Sequence, residues 1–362
     1  MGSHGKQINL PSSDSTDLHL SHPTQDECIK IWTNTSDSWK DSLELPDYLR
    51  ESQFLTPVPL AKDGGMTTWI LVDKNLPPNQ HPILCSCETF YKRSLMSDAS
   101  GNAEEVQSGH KMVASSILYS DIGKGYYAKL GWTPNPTNTH FQFTPLKIPK
   151  SGLIRDITET DLPELCRRDE VMIRKAMTIP VPRVGNRFTI LPDLDHMLWH
   201  IRKEDFATEH LFGKMAQVRG AIAGPPGKQV WAIWTRRYYG CHDVEGSDNV
   251  LYILRLVVGD ISTNMPPLPE LAETGMSLSD EQVMYLEAVL QAARDEAAEW
   301  RLDHVRLWEP SPLVEKAIVE GKLDYIKVER EEESIASCMW YDEHGNPGPL
   351  PTWINNQHYA WC

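Results

Sequence analysis

The sequence predicts a mixed α/β fold of the α+β kind, a mixed sheet flanked by helices and built in two halves. Three observations lead to it. The run Ile117-Leu118-Tyr119-Ser120-Asp121-Ile122-Gly123-Lys124-Gly125-Tyr126-Tyr127-Ala128-Lys129-Leu130-Gly131-Trp132 holds a strand, a tight turn, a short helix and a stop. Its β-branched and aromatic residues up to Tyr119 suit a buried strand, Ser120 or Asp121 suits a helix cap, and Gly131 suits a left-handed stop. The second half of the chain then repeats the order strand, long helix, strand, short helix, strand with different residues. Between the halves, Pro134, Pro136, Pro145 and Pro149 mark a connection. The expected organisation is a polar tail over residues 1–17, a first half over 18–145 and a second over 151–362.

In chain order, Thr24 followed by Glu27 is a capping-box pattern ahead of Cys28-Ile29-Lys30-Ile31-Trp32, and a second helix is expected over 46–53. Residues 67–72 and 83–92 read as strands separated by Asn75-Leu76-Pro77-Pro78-Asn79, and 96–108 reads as a polar loop. In the second half, 230–237 and 250–257 form a strand pair around the turn-rich 240–249. A long amphipathic helix covers 279–301, with Val283, Leu286, Leu290, Ala293 and Ala297 on one face. A strand at 304–308, a helix at 312–320 and strands at 325–328 and 335–341 complete it. The run 351–362, carrying Trp353, Tyr359 and Trp361, is too apolar for a free tail and is expected to dock back, bringing the Cys362 carboxylate towards an acceptor pocket.

The stretch 117–132 resembles the GNAT superfamily of N-acetyltransferases, in which a strand edge holds the pantetheine of acetyl-CoA and a helix tyrosine approaches the CoA sulfur. Ser120 stands where that pattern has Asn, Gly123 where it has Ala, and Tyr126-Tyr127 where it has Leu/Phe-Tyr. Leu45-Pro46-Asp47-Tyr48-Leu49-Arg50, Lys62-Asp63-Gly64-Gly65-Met66-Thr67-Thr68-Trp69-Ile70-Leu71-Val72-Asp73, Ile83-Leu84-Cys85-Ser86-Cys87-Glu88-Thr89 and His358-Tyr359-Ala360-Trp361-Cys362 are similar to the fungal lysine N-acetyltransferases. The resemblance implies a tandem of two GNAT-like halves, acetyl-CoA as acyl donor and a small amine as acceptor. The amine attacks the thioester carbonyl, a strand N–H polarises that carbonyl, and Tyr127 protonates the departing thiolate. It places Ser120, Gly123, Lys124 and Gly125 at the cofactor and Glu88 at the acceptor as a carboxylate acting through water, a solvated strand charge being the plainer reading of Glu88. Trp39, Tyr48 and Trp132 are candidates for the acceptor pocket, with core packing as the plainer reading of each.

One part of the family pattern is missing. GNAT enzymes cradle the CoA pyrophosphate in a loop of the form Gln/Arg-x-x-Gly-x-Gly/Ala between two parallel strands. A parallel pair needs a crossover of about a dozen residues. Here the candidate for the first strand, 110–114, runs directly into the second, so loop, helix and connection are absent ahead of Ile117. Gly123-Lys124-Gly125-Tyr126-Tyr127-Ala128 itself resembles a compressed phosphate loop with Lys124 in place of Arg, although Ser120 sits where Gln or Arg belongs. A lone Gly-x-Gly is also compatible with a plain turn. After the strand at 250–257, Gly259-Asp260-Ile261-Ser262-Thr263-Asn264 holds no Gly-x-Gly either. The expected affinity for acetyl-CoA is therefore weak.

Composition narrows the partners. The formal net charge of −15 argues against nucleic acid, because polyphosphate binding relies on clustered Lys and Arg. It favours a cationic or neutral small molecule slightly. Seven cysteines without zinc-type spacing read as reduced thiols, and the longest apolar run, 250–258, is interrupted by Arg255. A cytoplasmic protein without a membrane segment is expected. His196 and His200 share a helix face, but Met197 occupies the position of a zinc-peptidase glutamate, so no metal is expected. Cys85 and Cys87 point to one strand face and are read as buried. Two functions stand: an acyl-CoA-dependent N-acetyltransferase for a small amine such as lysine or a related fungal metabolite, and a GNAT-derived scaffold that no longer binds CoA and serves as a non-catalytic binding protein or a repurposed metabolite-pathway enzyme.

Overall fold

The computed structural model describes residues 11–106, 114–181, 184–259, 277–342 and 344–362. The chain divides into two compact units, Met1–Tyr91 and Lys92–Cys362. The first contains β1 (Leu18–Ser21), α1 (Gln25–Trp39), α2 (Leu45–Leu55), β2 (Met66–Asp73) and β3 (Cys85–Phe90). Its strands form an antiparallel sheet in the order β1-β2-β3. The capping box forms as expected: the Glu27 N–H donates to Thr24 Oγ1 at 3.2 Å, and the Thr24 N–H donates to Glu27 Oε2 at 2.8 Å. The other Glu27 oxygen accepts from the Asn79 N–H at 2.7 Å, so one buried carboxylate ties the helix start to the loop after β2. Ile31 of α1 packs on Ile70 and Val72 of β2. Cys85 and Cys87 are exposed, contrary to expectation, because the apolar face of this small sheet is supplied by β2.

The second unit begins with β4 (Ser94–Ser97) and β5 (Ala103–Val106), a hairpin where the sequence suggested loop from residue 96. Asp98 makes the turn: its Oδ1 accepts from the N–H groups of Ser100 and Asn102 at 2.8 and 3.0 Å, and Gly101 takes φ 84°. The expected strand at 110–114 lies, except for Ala114, outside the described residues. There follow β6 (Ser115–Ser120), α3 (Lys124–Ala128), β7 (Thr133–Pro134), β8 (Thr139–Phe143), β9 (Ile154–Ile157), α4 (Leu162–Met177), β10 (Arg187–Ile190), α5 (Leu194–Phe212), β11 (Gly220–Ala223), β12 (Val230–Arg237) and β13 (Val250–Val258). The last elements are α6 (Asp280–Glu299), β14 (His304–Trp308), α7 (Pro312–Glu320), β15 (Ile326–Glu329), β16 (Ile335–Trp340) and β17 (Thr352–Trp353).

A seven-stranded mixed sheet, β15-β8-β14-β13-β12-β11-β9, is the frame of this unit. Its neighbours pair antiparallel except for β13 and β14, which are parallel and joined through α6. Both faces are covered. Leu286, Val289, Leu290, Ala293 and Ala297 of α6 pack on Ala221, Ala223, Val230 and Ala232. Leu162 and Leu165 of α4 and Met197 and Ile201 of α5 pack on Ile222, Trp231 and Ile233 of the opposite face. Every residue of β12 and β13 is therefore buried, which explains why these strands read as unbroken apolar runs.

The sequence order does not reveal one feature of the topology. β8 leaves the neighbourhood of β6 and β7 and inserts between β14 and β15, while β16 pairs antiparallel with both β6 and β7. The two halves have exchanged strands. Glu309, at φ 39°, fastens the exchange by accepting from the Thr139 N–H at 2.6 Å and the Thr137 hydroxyl at 2.8 Å.

Candidate functional site

The turn after β6 is built differently from a capped helix start. Ser120 Oγ accepts from the Ile122 N–H and donates to the Gly123 carbonyl, both at 3.2 Å, and so braces the turn. Asp121 accepts from the Ser334 N–H at 2.8 Å. Neither caps α3, whose cap residue is Gly123 at φ 77° without a side-chain bond. Gly131, at φ 104°, is in the left-handed region as expected. Tyr127 is half-buried, edge-on to Trp132 with ring centroids 6.1 Å apart, and Trp132 Nε1 donates to Ser116 Oγ at 3.2 Å. Lys124 pairs with Glu331 at 3.0 Å and Glu329 at 3.8 Å, and the Gly123 N–H points to the Glu332 carbonyl at 3.4 Å. Gly125 has open space around it.

Three of the sequence candidates lie in the first unit. Glu88 is exposed on β3 and accepts from Trp32 Nε1 at 3.2 Å. Tyr48 is buried in α2, where burial pushes its hydroxyl above the ordinary tyrosine range. Trp39 is exposed at the end of α1. The structure brings Tyr127, Trp132, Ser120, Gly123, Lys124 and Gly125 together on one turn, and keeps Glu88 and Tyr48 on separate elements of the other unit.

The parallel pair of the second half opens at a bulge. β13 steps past Leu254 in its register with β12, and its pairing with β14 ends at Ile253 opposite Leu307. Beyond that point the Leu256 N–H donates to Gln357 Oε1 at 3.0 Å. Arg255 grips Asp169 through Nε and Nη2 at 2.7 and 2.9 Å, with Nη1 3.4 Å from Asn355 Oδ1. A small cleft at this point, with room for about one water, is lined by Leu256, Val258, Pro310, Ser311, Val314 and Gln357. At the near end of α6, Ser279 and Gln282 form a capping box, followed by Asp280 and Glu281.

Residues 351–362 dock as expected. Ile354, Asn356, Gln357, His358, Tyr359 and Ala360 are all buried, and Tyr359 donates from its hydroxyl to the Ile190 carbonyl at 2.6 Å. Cys362 is partly buried, close enough to Tyr119 to help push its phenol well above the ordinary range, after burial itself. The docked run roofs a group of aromatic and basic residues absent from the sequence candidates. The His358 ring stacks on Tyr252 at 3.9 Å and meets Trp308 edge-on at 4.5 Å. Trp308 carries the Arg330 guanidinium 3.6 Å above its ring. Burial, followed by the nearby His200, Arg237, Arg330 and Arg306, holds His358 neutral far below the usual imidazole range. His196 and His200 are buried in the same unit: His196 Nδ1 lies 2.7 Å from Asp193, and His200 Nε2 lies 3.2 Å from the Tyr359 carbonyl. Among the described residues, no group of three His, Cys, Asp or Glu is placed to hold a metal ion.

A bulged parallel pair connected through a long helix, within a mixed sheet covered on both faces, is the architecture of a GNAT-type acyltransferase. The family model for the LYC1 GNAT-like C-terminal domain matches residues 138–362, and the chain belongs to that family. Among solved structures, the chain is similar to a Pyrococcus horikoshii protein assigned as an acetyltransferase, at 8% identity and a TM-score of 0.41, covering 99% of this chain and 100% of that one. It is also similar to Saccharomyces cerevisiae N-myristoyltransferase with bound myristoyl-CoA, at 7% identity and a TM-score of 0.44, covering 96% and 82%. No curated protein matches it.

Proposed function

We propose that the chain is an acyl-CoA-dependent N-acetyltransferase for a small amine such as lysine, with weak affinity for the donor. The observation that carries this reading is the bulged parallel pair β13–β14 in a chain of this family. A surface of net charge −15 favours a cationic acceptor. We place the protein in the cytoplasm on the strength of its seven free cysteines. No helix among the described residues is long and apolar enough to cross a membrane.

The described residues do not fit a CoA pyrophosphate. In the first half, Lys124 is committed to glutamates and the Gly123 N–H to a carbonyl, so the turn offers an anion little positive charge. In the second half, the N-terminus of α6 is already capped and carries two acidic residues in its first turn. Each missing charge-assisted hydrogen bond is worth about 1.5–3 kcal/mol, so acetyl-CoA should bind with a Kd of about 1 mM. Calorimetry giving a sub-micromolar Kd would overturn this expectation.

A second reading is a GNAT-derived scaffold that binds a small molecule without acyl transfer. Its specific support is Gln357, which occupies the Leu256 N–H at the parted edge of β13. A CoA thioester raises the melting temperature on the transferase reading and leaves it unchanged on the scaffold reading, and Tyr127→Phe then tests the tyrosine. On the transferase reading kcat falls about 100-fold with the fold intact; a transfer rate unchanged by the substitution leaves Tyr127 a packing residue.

A further inference from the structure

The structure holds a guanidinium with an empty fork. Arg330 follows β15 and is only 5% exposed. Its backbone N–H donates to the Asn138 carbonyl at 2.8 Å and its Nη1 to the Ser334 carbonyl at 3.0 Å. Its Nε and Nη2 are buried without any hydrogen-bond partner. These two nitrogens form one edge of the guanidinium, the edge that grips carboxylates elsewhere in this molecule. Arg255 holds Asp169 through Nε and Nη2 at 2.7 and 2.9 Å, and Arg167 holds Glu164 through the same pair of nitrogens, each at 2.8 Å.

Burial alone does not explain Arg330. A sealed charge that lacks its hydrogen bonds is strongly unfavourable unless something supplies an opposite charge. Burial lowers its pKa to about 10, which records the same penalty. The nearest acidic influence, Glu309, has both oxygens engaged by Thr139 and Thr137. The surroundings offer aromatic walls and further unpartnered polar atoms: Trp308 lies under the guanidinium, His358 Nδ1 is unsatisfied, and so are both ring nitrogens of His140.

We propose that the Nε–Nη2 edge of Arg330 binds the carboxylate of a small amino acid, seated against Trp308 beneath the docked run 353–362. One guanidinium matches a planar monoanion with two oxygens, and Trp308 and Tyr252 supply apolar walls for a short carbon chain. The proposal rests on the acceptor reading above and narrows it: the amine transferred to also carries a free carboxylate.

The test is binding to the full chain by calorimetry without any acyl donor, using L-lysine, its decarboxylated counterpart cadaverine, and inorganic phosphate. L-lysine should bind at least tenfold more tightly than cadaverine and than phosphate. Arg330→Gln should abolish the preference over cadaverine. Arg330→Lys keeps the charge and loses the fork, and should weaken L-lysine at least tenfold. Should Arg330→Gln fail to fold, the three ligands on the unaltered chain and Arg330→Lys still decide. Equal binding of L-lysine and cadaverine, no binding of L-lysine, or tighter binding of phosphate overturns the proposal. L-lysine binding without transfer from any acyl-CoA removes the transferase reading and leaves the site. Equal acetylation of cadaverine and L-lysine does the reverse.

Discussion

Removing residues 353–362 should destabilise the protein by about 5 kcal/mol or more, since burying a single large apolar side chain contributes about 1.5–3 kcal/mol. Trp353, Ile354 and Tyr359 are all lost, and each is nearly fully buried. The cut also removes the parallel pairing of β17 with β10 at Phe188 and Trp353, the Tyr359 hydroxyl bond to Ile190 and the Gln357 acceptor of the Leu256 N–H. Phe188, packed on Trp353 with ring centroids 5.2 Å apart, would then lose that cover. A loss of this size is comparable to the whole stability of many domains, so the shortened chain should unfold at much lower urea. Matching urea midpoints for the full and shortened chains would show that the docked run contributes nothing.

Arg236→Met should cost about 3–5 kcal/mol, the range for removing one partner of a buried ion pair. Arg236 is fully buried at the end of β12 and pairs with Glu204 of α5 and Glu296 of α6, so one guanidinium joins the helix layers on both sides of the sheet. Its loss leaves Glu296 with Trp300 Nε1 as its remaining partner, while Glu204 keeps Arg219 at 3.2 Å. The Lys228–Glu281 pair, more than half exposed on both sides, is the control, and Lys228→Met should cost less than about 1 kcal/mol. Adding Glu296→Gln to Arg236→Met should recover part of the loss. Equal and small effects at both pairs in chemical denaturation would sink the idea that Arg236 fastens the layers.

Much of the second half was legible because its signals are local. β12, α6, β14, α7 and β16 fall within a residue or two of the ranges read from period and caps, as does the Ser279 cap of α6. The hairpin at β4 and β5 was missed because an Asx turn at Asp98 reads as polar loop, and its strands are too short for alternation to register. Helix α4, the edge strand β9 and its neighbour β11 went unread for a related reason. The two strands are four residues each, and α4 interrupts its pattern with the charged run Arg167 to Glu170, of which Asp169 lies on the buried face because it is paired inside with Arg255. An N-cap signal for α5 was present in Asp193, which accepts from the His196 N–H.

Of the site, the sequence alone determined the turn carrying Tyr127, the left-handed stop at Gly131 and the need for residues 351–362 to be covered, since each follows from neighbouring residues or from apolar content. Only the tertiary structure decided that Lys124 meets Glu331, that β8 and β16 change places, that Gln357 fills the parted edge of β13, and that Arg330 is sealed above Trp308 with its fork empty. These pairings join residues far apart in the chain. Periodicity and capping act within a few residues, so they fix where an element begins and ends, whereas the charge or hydrogen-bond partner that a side chain meets depends on which strands the folded sheet sets side by side.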